Sequence, residues 1–437
     1  MPLLPLKDDS VIIVGAGVFG LSLAYELAAH RGYSNITVID RHRPPVPDGS
    51  SNDFSRQVRS EYTEPLYARL GREAIREWRT PDWAPDFYET GSIMMGSGEA
   101  TSVVPQYRAL NEKQDEKSPR TVEFFDGNES ELALKRRYPN IMASFDGVTT
   151  MSTNVGGWAH ASNAIQRLAN RCSLAGVSFF TGPRGHVIEL LQEGSRVTGV
   201  KTQDGSLYHA KLVVLATGAW TNRLVSDMTH NFVGVGQPIG MIQLTPEEAG
   251  RLKNVPCIFN EATSTYCFPP TPDTHILKVA RHGYGYSTEM KTQDGRVVSS
   301  PIFEGNNAAA GYLPADAERD LRKAAQFFWP EFGDRPWQRM RMCWYTDTPT
   351  GDFKVDFHPT TEGLFIATGG SGHAFKFLPI IGRYIADCVE NKAEEVIREK
   401  WAVKGPIHQD AKDAWKGDSH RGGPPRRVLT RLEQSKL

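Results

Sequence analysis

The chain has 437 residues, 39% of them hydrophobic, which is too long for one compact core and enough to fill two. Its 50 basic residues face 51 acidic ones, a formal net charge of −1, so no general attraction to nucleic acid or to an acidic membrane is expected, and a small molecule is the better partner. Apolar runs such as Leu212–Ala216 and Leu364–Ala367 are strand-sized, far short of the roughly 20 residues of a membrane helix.

The first residues, MPLLPLKDDS, lack a basic region followed by an apolar run, so secretion is not expected. Residues Ser10–Asp40 then read as strand, helix and strand: VIIVGAGVFG breaks into glycines, LSLAYELAAH is helical, NITVID is a second apolar strand, and Gly32–Asn35 make the turn between helix and strand. A parallel pair needs such a crossover, so this unit opens a doubly wound sheet. Gly15, Gly17 and Gly20 form GxGxxG at the strand-to-helix turn, and Asp40 ends the next strand about 20 residues on. The first glycine allows a tight turn, the second a close approach to a pyrophosphate, and the third close packing of helix on strand. Asp40 is positioned to accept a ribose hydroxyl, so a dinucleotide is expected.

A second helix is predicted at about Thr63–Arg79, capped by Thr63, with Pro65 in the first turn and Leu66, Leu70, Ala74 and Trp78 as one apolar stripe. MSTNVGGWAHASNAIQRLANRC reads as a turn entering a helix, and 187–220 as antiparallel strands turning at Glu193-Gly194 and Asp204-Gly205 before a buried apolar strand. Residues 221–335 alternate strands and polar loops, and GLFIATGGSGHAFKFLPIIGRYIADC returns to the strand, glycine, helix pattern. The expected fold is therefore α/β plus α+β. Residues 8–86, 149–220 and 336–400 make a discontinuous Rossmann-like dinucleotide domain of the glutathione-reductase type. A mainly antiparallel substrate domain, 87–148 and 221–335, is inserted in it, and 401–437 form an extension.

Two later strand-to-glycine turns, at Gly218 and at Gly370 and Gly372, supply further backbone contacts. A nicotinamide enzyme seldom returns to its glycine unit from the far end of the chain, whereas a flavin deep in the fold meets several distant segments, so FAD is preferred. Five cysteines form no CxxC pair, so neither disulfides nor a metal site is expected. Ser435-Lys436-Leu437 is a tripeptide that a peroxisomal import receptor reads as an address, and the polar, Gly/Pro-rich stretch before it is expected to extend outward.

VGAGVFG, SSNDFSRQVRSEY, GGWAHA, QLTPEEAGRLKNVP, ILKVARH, MCWYTDTPTGDFKVDFHP and ATGGSGHAFKF together resemble a family of FAD-dependent amine oxidases. This family holds monomeric sarcosine oxidase, pipecolate oxidase, saccharopine oxidase and the fungal fructosyl-amino-acid oxidases. The resemblance spans nearly the whole chain. It implies that Cys343 carries the flavin as a thioether, a bond that needs a thiolate, which Arg339 and Arg341 are close enough in sequence to favour. It places Arg56 near the flavin, and with it Val18, Phe19, Arg41, Ser50, Ser51, Trp220 and Lys376 besides the glycines and Asp40. It assigns the substrate carboxylate to Arg59 and Lys376, with Tyr62 and His373 beside them; a guanidinium suits that task because its donors match two oxygens at once. Without the family match these cations read as surface ion pairs.

Lys278 resembles the lysine over the flavin face that promotes reoxidation by O2, where a fixed positive charge stabilises the reduced oxygen species. A lysine among Ile276, Leu277 and Val279 must find a polar partner or lie on an edge strand. The fructosyl enzymes carry Asp-Glu at the third and fourth places after this lysine; here stand Arg281 and His282, and His282 matches the sarcosine and pipecolate enzymes, while His373 resembles both the sarcosine-type and the fructosyl-peptide patterns. QLTPEEAGRLKNVP and RGGPPRR, by contrast, look closest to the fungal fructosyl enzymes. The implied reaction oxidises the C–N bond of a secondary amino acid to an imine that hydrolyses, with O2 becoming H2O2. A fructosyl-amino-acid oxidase is the alternative within this chemistry. A dehydrogenase using another acceptor is disfavoured by Lys278, and a catalytically silent flavoprotein by Cys343, Arg59, Lys278 and Lys376 together.

Overall fold

The computed structural model describes residues 4–96, 98, 102–112, 122–302, 311–404 and 424–437. Its first organising element is Val11–Val14, four buried apolar residues, paired in parallel with Ile36–Ile39 on one side and Leu212–Leu215 on the other. A strand apolar at every position has both faces covered, as in α/β proteins. The full sheet has six strands in the order Lys354–Phe357, Leu364–Thr368, Leu212–Leu215, Val11–Val14, Ile36–Ile39, Ser178–Phe180. All neighbours are parallel except the first pair. The Val18–His30 helix packs against Ala161–Leu174 and Ile381–Val389, so segments from three distant parts of the chain share one core.

Gly15 makes this junction possible. Its φ is +111°, and a Cβ there would stand 2.4 Å from the carbonyl oxygen of Ala216 at the end of the neighbouring strand, so any side chain is both strained and blocked.

A second sheet of ten strands holds most of the rest and is mainly antiparallel. Val233–Gln243 is its centre, flanked by Ile276–Arg281 and Arg339–Asp347. Two of the expected boundaries cut across this sheet. Thr150–Thr153 pairs with Ser92–Met95 and Val122–Phe125, and Arg339–Asp347 pairs along nine residues with Val233–Gln243. Both strands therefore take their hydrogen bonds from the antiparallel sheet, although 149–220 and 336–400 were assigned to the dinucleotide domain. Residues 187–209 form the expected three-stranded antiparallel unit.

Two local expectations are corrected. The second helix runs Pro65–Trp78 with its apolar stripe buried, but its cap is Glu64, whose carboxylate accepts from the N–H groups of Leu66 (3.0 Å) and Tyr67 (3.3 Å). A longer side chain thus reaches the donors one position later than Thr63. The tail does not extend outward where it is described; its Gly/Pro-rich part up to 423 lies outside the described residues. Arg427–Val428 adds a parallel strand to Tyr286–Ser287, Arg427 bridges Asp316 and Glu433, and Leu429 and Leu437 are buried in the core of the large sheet, Leu437 at 4% exposure. Apolar burial of two leucines and an ion-paired arginine outweigh the tail's freedom.

Among the described residues no helix is long and apolar enough to cross a membrane, and no cluster of His, Cys, Asp and Glu could hold a metal ion. Replacing Glu64 with Ala should lower stability by about 1 kcal/mol, the usual cost of a lost cap, whereas Thr63→Ala should leave it unchanged; urea unfolding midpoints measure both.

Candidate active site

A cavity of about 540 Å³ lies between the two sheets, within the roughly 300–1,000 Å³ usual for small-molecule and cofactor sites. Its wall includes Gly15, Gly17, Val18, Phe19, Asp40 and Arg41 from the first unit, and Ser50, Ser51, Arg56 and Arg59 from the segment that follows. Gly218, Trp220, His282, Gly370, Gly372, His373 and Lys376 complete the expected set that reaches it. Gly20, Tyr62, Lys278 and Cys343 are not on the wall; the last three stand directly behind it.

At the glycine loop, Asp40 accepts from the Ala16 N–H at 2.7 Å, and Ser51 Oγ accepts from the Val18 N–H at 3.0 Å. Burial raises the Asp40 carboxyl above its ordinary value, partly offset by that Ala16 N–H. Gly17 heads the helix without a side-chain cap, which leaves the helix N-terminus to an anion. Arg41 donates to Asp48 at 3.0 Å and lies over the Trp220 ring, 4.7 Å from its centre. The Trp220 indole N–H is buried with no partner among the described protein atoms. A helix start whose own first residue, Gly17, brings no side chain, an acidic residue closing the second strand and an unmatched buried donor fit a dinucleotide.

Further along the cavity the large sheet supplies a cationic patch. In the register of the central strand, Lys278 pairs with Met241, Arg341 with Ile239 and Cys343 with Gln237. Positions 237, 239 and 241 share a face, so these three side chains do too. The loop carrying Asn52 to Arg56 lies across that face. Asp53 receives the Lys278 ammonium at 2.7 Å and the Arg56 guanidinium, and Arg341 stands 3.6 Å away while donating to the Asn52 carbonyl at 2.6 Å. Lys278 also donates to the Ser55 carbonyl at 2.6 Å. Its strand is interior, between Val233–Gln243 and Thr265–Phe268, so this carboxylate and not a sheet edge satisfies it. Burial pushes Lys278 down to about 8 in spite of Asp53, which raises it; burial would push Asp53 up, but Arg56, Lys278 and Arg341 hold it well below the carboxylate range.

The cation on the Cys343 sulfur is Arg56, which donates to Sγ at 3.2 Å, not Arg339 or Arg341. Residues two apart on a strand are separated by about 6.6 Å, which leaves the Arg341 head free to turn to the loop, while Arg56 descends onto Sγ from above.

The second cationic group, Arg59 and Lys376, is built differently. Lys376 donates to the Tyr62 hydroxyl at 2.7 Å and to the His373 carbonyl at 2.8 Å. His373 Nε2 faces the Gly351 carbonyl at 2.9 Å, so Nε2 carries the proton, and Nδ1 accepts from the Tyr62 hydroxyl at 3.1 Å. Both ring nitrogens of His373 are thereby engaged within the protein. Arg59 is buried, donates to the Glu61 carbonyl and lies 4.4 Å over the Tyr62 ring. Between the two cationic groups the wall is aromatic: Phe259, Tyr266, Phe268 and Tyr345, with Met94 and His282. The His282 ring lies 5.7 Å from Tyr345 and 6.5 Å from Phe259. Gly372 (φ +74°) is required here, since a Cβ would come within 2.5 Å of Tyr345 and 2.8 Å of His282. Arg281 turns away to Asp320 (2.6 Å) and the Tyr286 hydroxyl.

Residues 10–388 match the family of FAD dependent oxidoreductases (DAO). The chain belongs to this family. Among its members, L-saccharopine oxidase of Schizosaccharomyces pombe is 32% identical over 428 residues, covering 93% of this chain and 92% of the relative. Human peroxisomal sarcosine oxidase is 27% identical, covering 86% and 90%. Fructosamine oxidase (Amadoriase II) of Aspergillus fumigatus superposes with a TM-score of 0.84 at 28% identity, covering 98% of this chain and all of the other. The fructosyl peptide oxidase of E. terrenum gives 0.86 at 27% identity, covering 97% of each. The chain is accordingly a flavin-dependent oxidoreductase acting on CH–NH donors, as such family members are.

Asp53 lies within SSNDFSRQVRSEY yet was given no role there, and the aromatic wall was missed; its members lie on the strands Cys257–Asn260, Thr265–Phe268 and Arg339–Asp347. One consequence of the burial of Lys278 is measurable. Its pKa of about 8 in the fold lies below the ordinary 10.5, so the unfolded chain binds more protons between those values. The penalty for burying the charged amine is therefore full below pH 8 and fades as pH rises towards 10.5. Wild type should gain stability relative to Lys278→Met across that window, read from denaturation midpoints at stepped pH.

Proposed function

We propose that the chain oxidises a secondary amino acid, N-substituted or cyclic and of the sarcosine, pipecolate or saccharopine type, with the carboxylate held by Arg59 and Lys376. The observation that carries this reading is the pairing of two buried cations at one part of the cavity with an aromatic wall at the next. A guanidinium and an ammonium together neutralise and orient a carboxylate. Tyr62 and His373 hold the Lys376 ammonium in place, and the rings of Phe259, Tyr266 and Tyr345 exclude water from the remainder of the substrate. His282, the ionisable side chain set among those rings, is the group assigned to exchange the amine proton.

FAD, when bound, would supply the two-electron redox chemistry between the amine C–H and O2, which with two protons becomes H2O2. Gly15, Gly17, Asp40, Ser51 and Trp220 would hold its dinucleotide part, and Cys343 its covalent link. Arg56, donating to Sγ at 3.2 Å, would hold that sulfur in place. Lys278 supplies, from just behind the wall, a fixed positive charge for the oxygen step.

The likeness to fructosyl oxidases keeps a deglycating activity as the second reading. Against it stands the chemistry of the wall: Arg281 is ion-paired away from the cavity, and His282 occupies the place where an acidic residue would meet a sugar. A peroxide assay across sarcosine, pipecolate, saccharopine and fructosyl-valine tests both. Turnover of at least one of the first three, with fructosyl-valine slower by about tenfold or more, is expected; the reverse order would select the deglycating reading. Cys343→Ser should release flavin into the supernatant on acid precipitation while wild type retains it, and release from both would remove the thioether.

A peroxisomal address at Ser435-Lys436-Leu437 accords with a peroxide-forming oxidase. With Leu437 packed in the core, an import receptor must draw the tripeptide out before reading it. A fluorescent protein fused ahead of the chain should give punctate signal in cells, lost when these three residues are deleted.

A further inference from the structure

We propose that Asp53 is a positioning residue for the oxygen step: it fixes the Lys278 ammonium behind the cavity wall, keeps it cationic there, and steadies the Arg56 guanidinium over Cys343. The inference rests on the reading of Lys278 given above.

Asp53 is itself held rigidly. Its Oδ1 accepts from the Phe54 N–H at 2.8 Å, and its carbonyl accepts from both the N–H and the hydroxyl of Ser162 at 2.9 Å, at the start of the Ala161–Leu174 helix. The neighbouring Asn52 side chain accepts from the same hydroxyl at 2.6 Å. The carboxylate is thus anchored to the dinucleotide side of the molecule and reaches the cations of the large sheet across the interface.

The groups facing Lys278 come from every element packed around it. Asp53 and Arg56 come from the loop and the strand that follows it, Arg341 and Cys343 from Arg339–Asp347, and Cys257 from the strand Cys257–Asn260. The Phe268 ring lies 4.7 Å from the ammonium. Asp53 is the carboxylate in that set, against two guanidiniums and one ammonium. Without it, three buried cations would confront one another. Arginine does not surrender its proton in proteins, so Lys278 is the group that gives way, becoming a neutral amine at neutral pH. Burial and Arg56 already depress Lys278, and Asp53 is the main influence opposing them, with a smaller one from Cys343. A neutral amine would offer no charge to reduced oxygen and would no longer be drawn to one place.

The test compares FAD-loaded wild type, Asp53→Asn, Asp53→Glu and Lys278→Met. Reduced enzyme is mixed with oxygenated buffer at stepped pH, and the return of the oxidised flavin absorbance is timed. In wild type the rate should fall as pH passes about 8, where Lys278 loses its proton. In Asp53→Asn that midpoint should move down by about one pH unit or more, so that at pH 8 reoxidation is about fivefold slower or more. Asp53→Glu, which keeps the charge, should restore most of the rate. The second readout needs no oxygen: the pH window in which stability rises relative to Lys278→Met should open lower in a Lys278-containing Asp53→Asn protein than in wild type. Equal midpoints and equal windows in wild type and Asp53→Asn would overturn the assignment. If Lys278→Met is reoxidised as fast as wild type, the oxygen role of Lys278 falls, and the stability window alone then decides whether Asp53 holds its charge. Should Asp53→Asn fail to fold, Asp53→Ser takes its place in both readouts: the same lowered midpoint and lower-opening stability window are expected, and a wild-type midpoint and window in that variant would count against the proposal.

Discussion

Asp53 meets Lys278, Arg56 and Arg341 in a site closed to water, and the arrangement of the cavity follows from that contact. Burying an ammonium and two guanidiniums is costly unless an anion and carbonyl oxygens receive them, and here one carboxylate and the carbonyls of Ser50, Asn52 and Ser55 do so. The geometry is demanding because the loop comes from one half of the molecule and the cations from both. Satisfying the charges therefore also docks the 50–56 loop on the antiparallel sheet. One carboxylate does not neutralise three cations, and the excess positive charge suits a site where negative charge develops during reaction.

The same stretch of chain serves the other cationic group. Six residues beyond Arg56, Tyr62 receives the Lys376 ammonium and hands its own proton to His373, while Arg59 lies over the Tyr62 ring. Residues 50–62 thus touch the glycine loop through Ser51, the sulfur of Cys343 through Arg56, and the Lys376 ammonium through Tyr62. A short connection of this kind sets the spacing between the glycine loop and the two cationic groups of the cavity.

What could be read in the sequence was what local chemistry determines. The glycine loop, its helix, the acidic end of the second strand and the alternation of the 187–209 strands each depend on neighbours in the chain, and each is found as expected. The resemblance brought Arg59, His282, His373 and Lys376 to one cavity wall. Asp53 was not legible because it is one of 51 acidic residues, and its partners are 225 and 288 positions away for Lys278 and Arg341. Arg56 on Cys343 escaped for the same reason: proximity along a strand pointed to Arg341, and the sheet register with the overlying loop chose otherwise. The tail was misread because a polar composition says nothing of two leucines that find a core. Burial decided its course, not average polarity.

The strand order of the parallel sheet has a consequence for biosynthesis. Val11–Val14 leaves the ribosome early, but its partner Leu212–Leu215 and the next strand, Leu364–Thr368, are made much later. At roughly 5–20 residues per second, tens of seconds separate the first strand from the last of these. Through that interval the nascent chain carries an apolar strand with an unfilled edge and a helix without its Ile381–Val389 neighbour. Such a chain exposes that edge to other chains until Leu364–Thr368 and Ile381–Val389 have been made, and only then can the dinucleotide fold close.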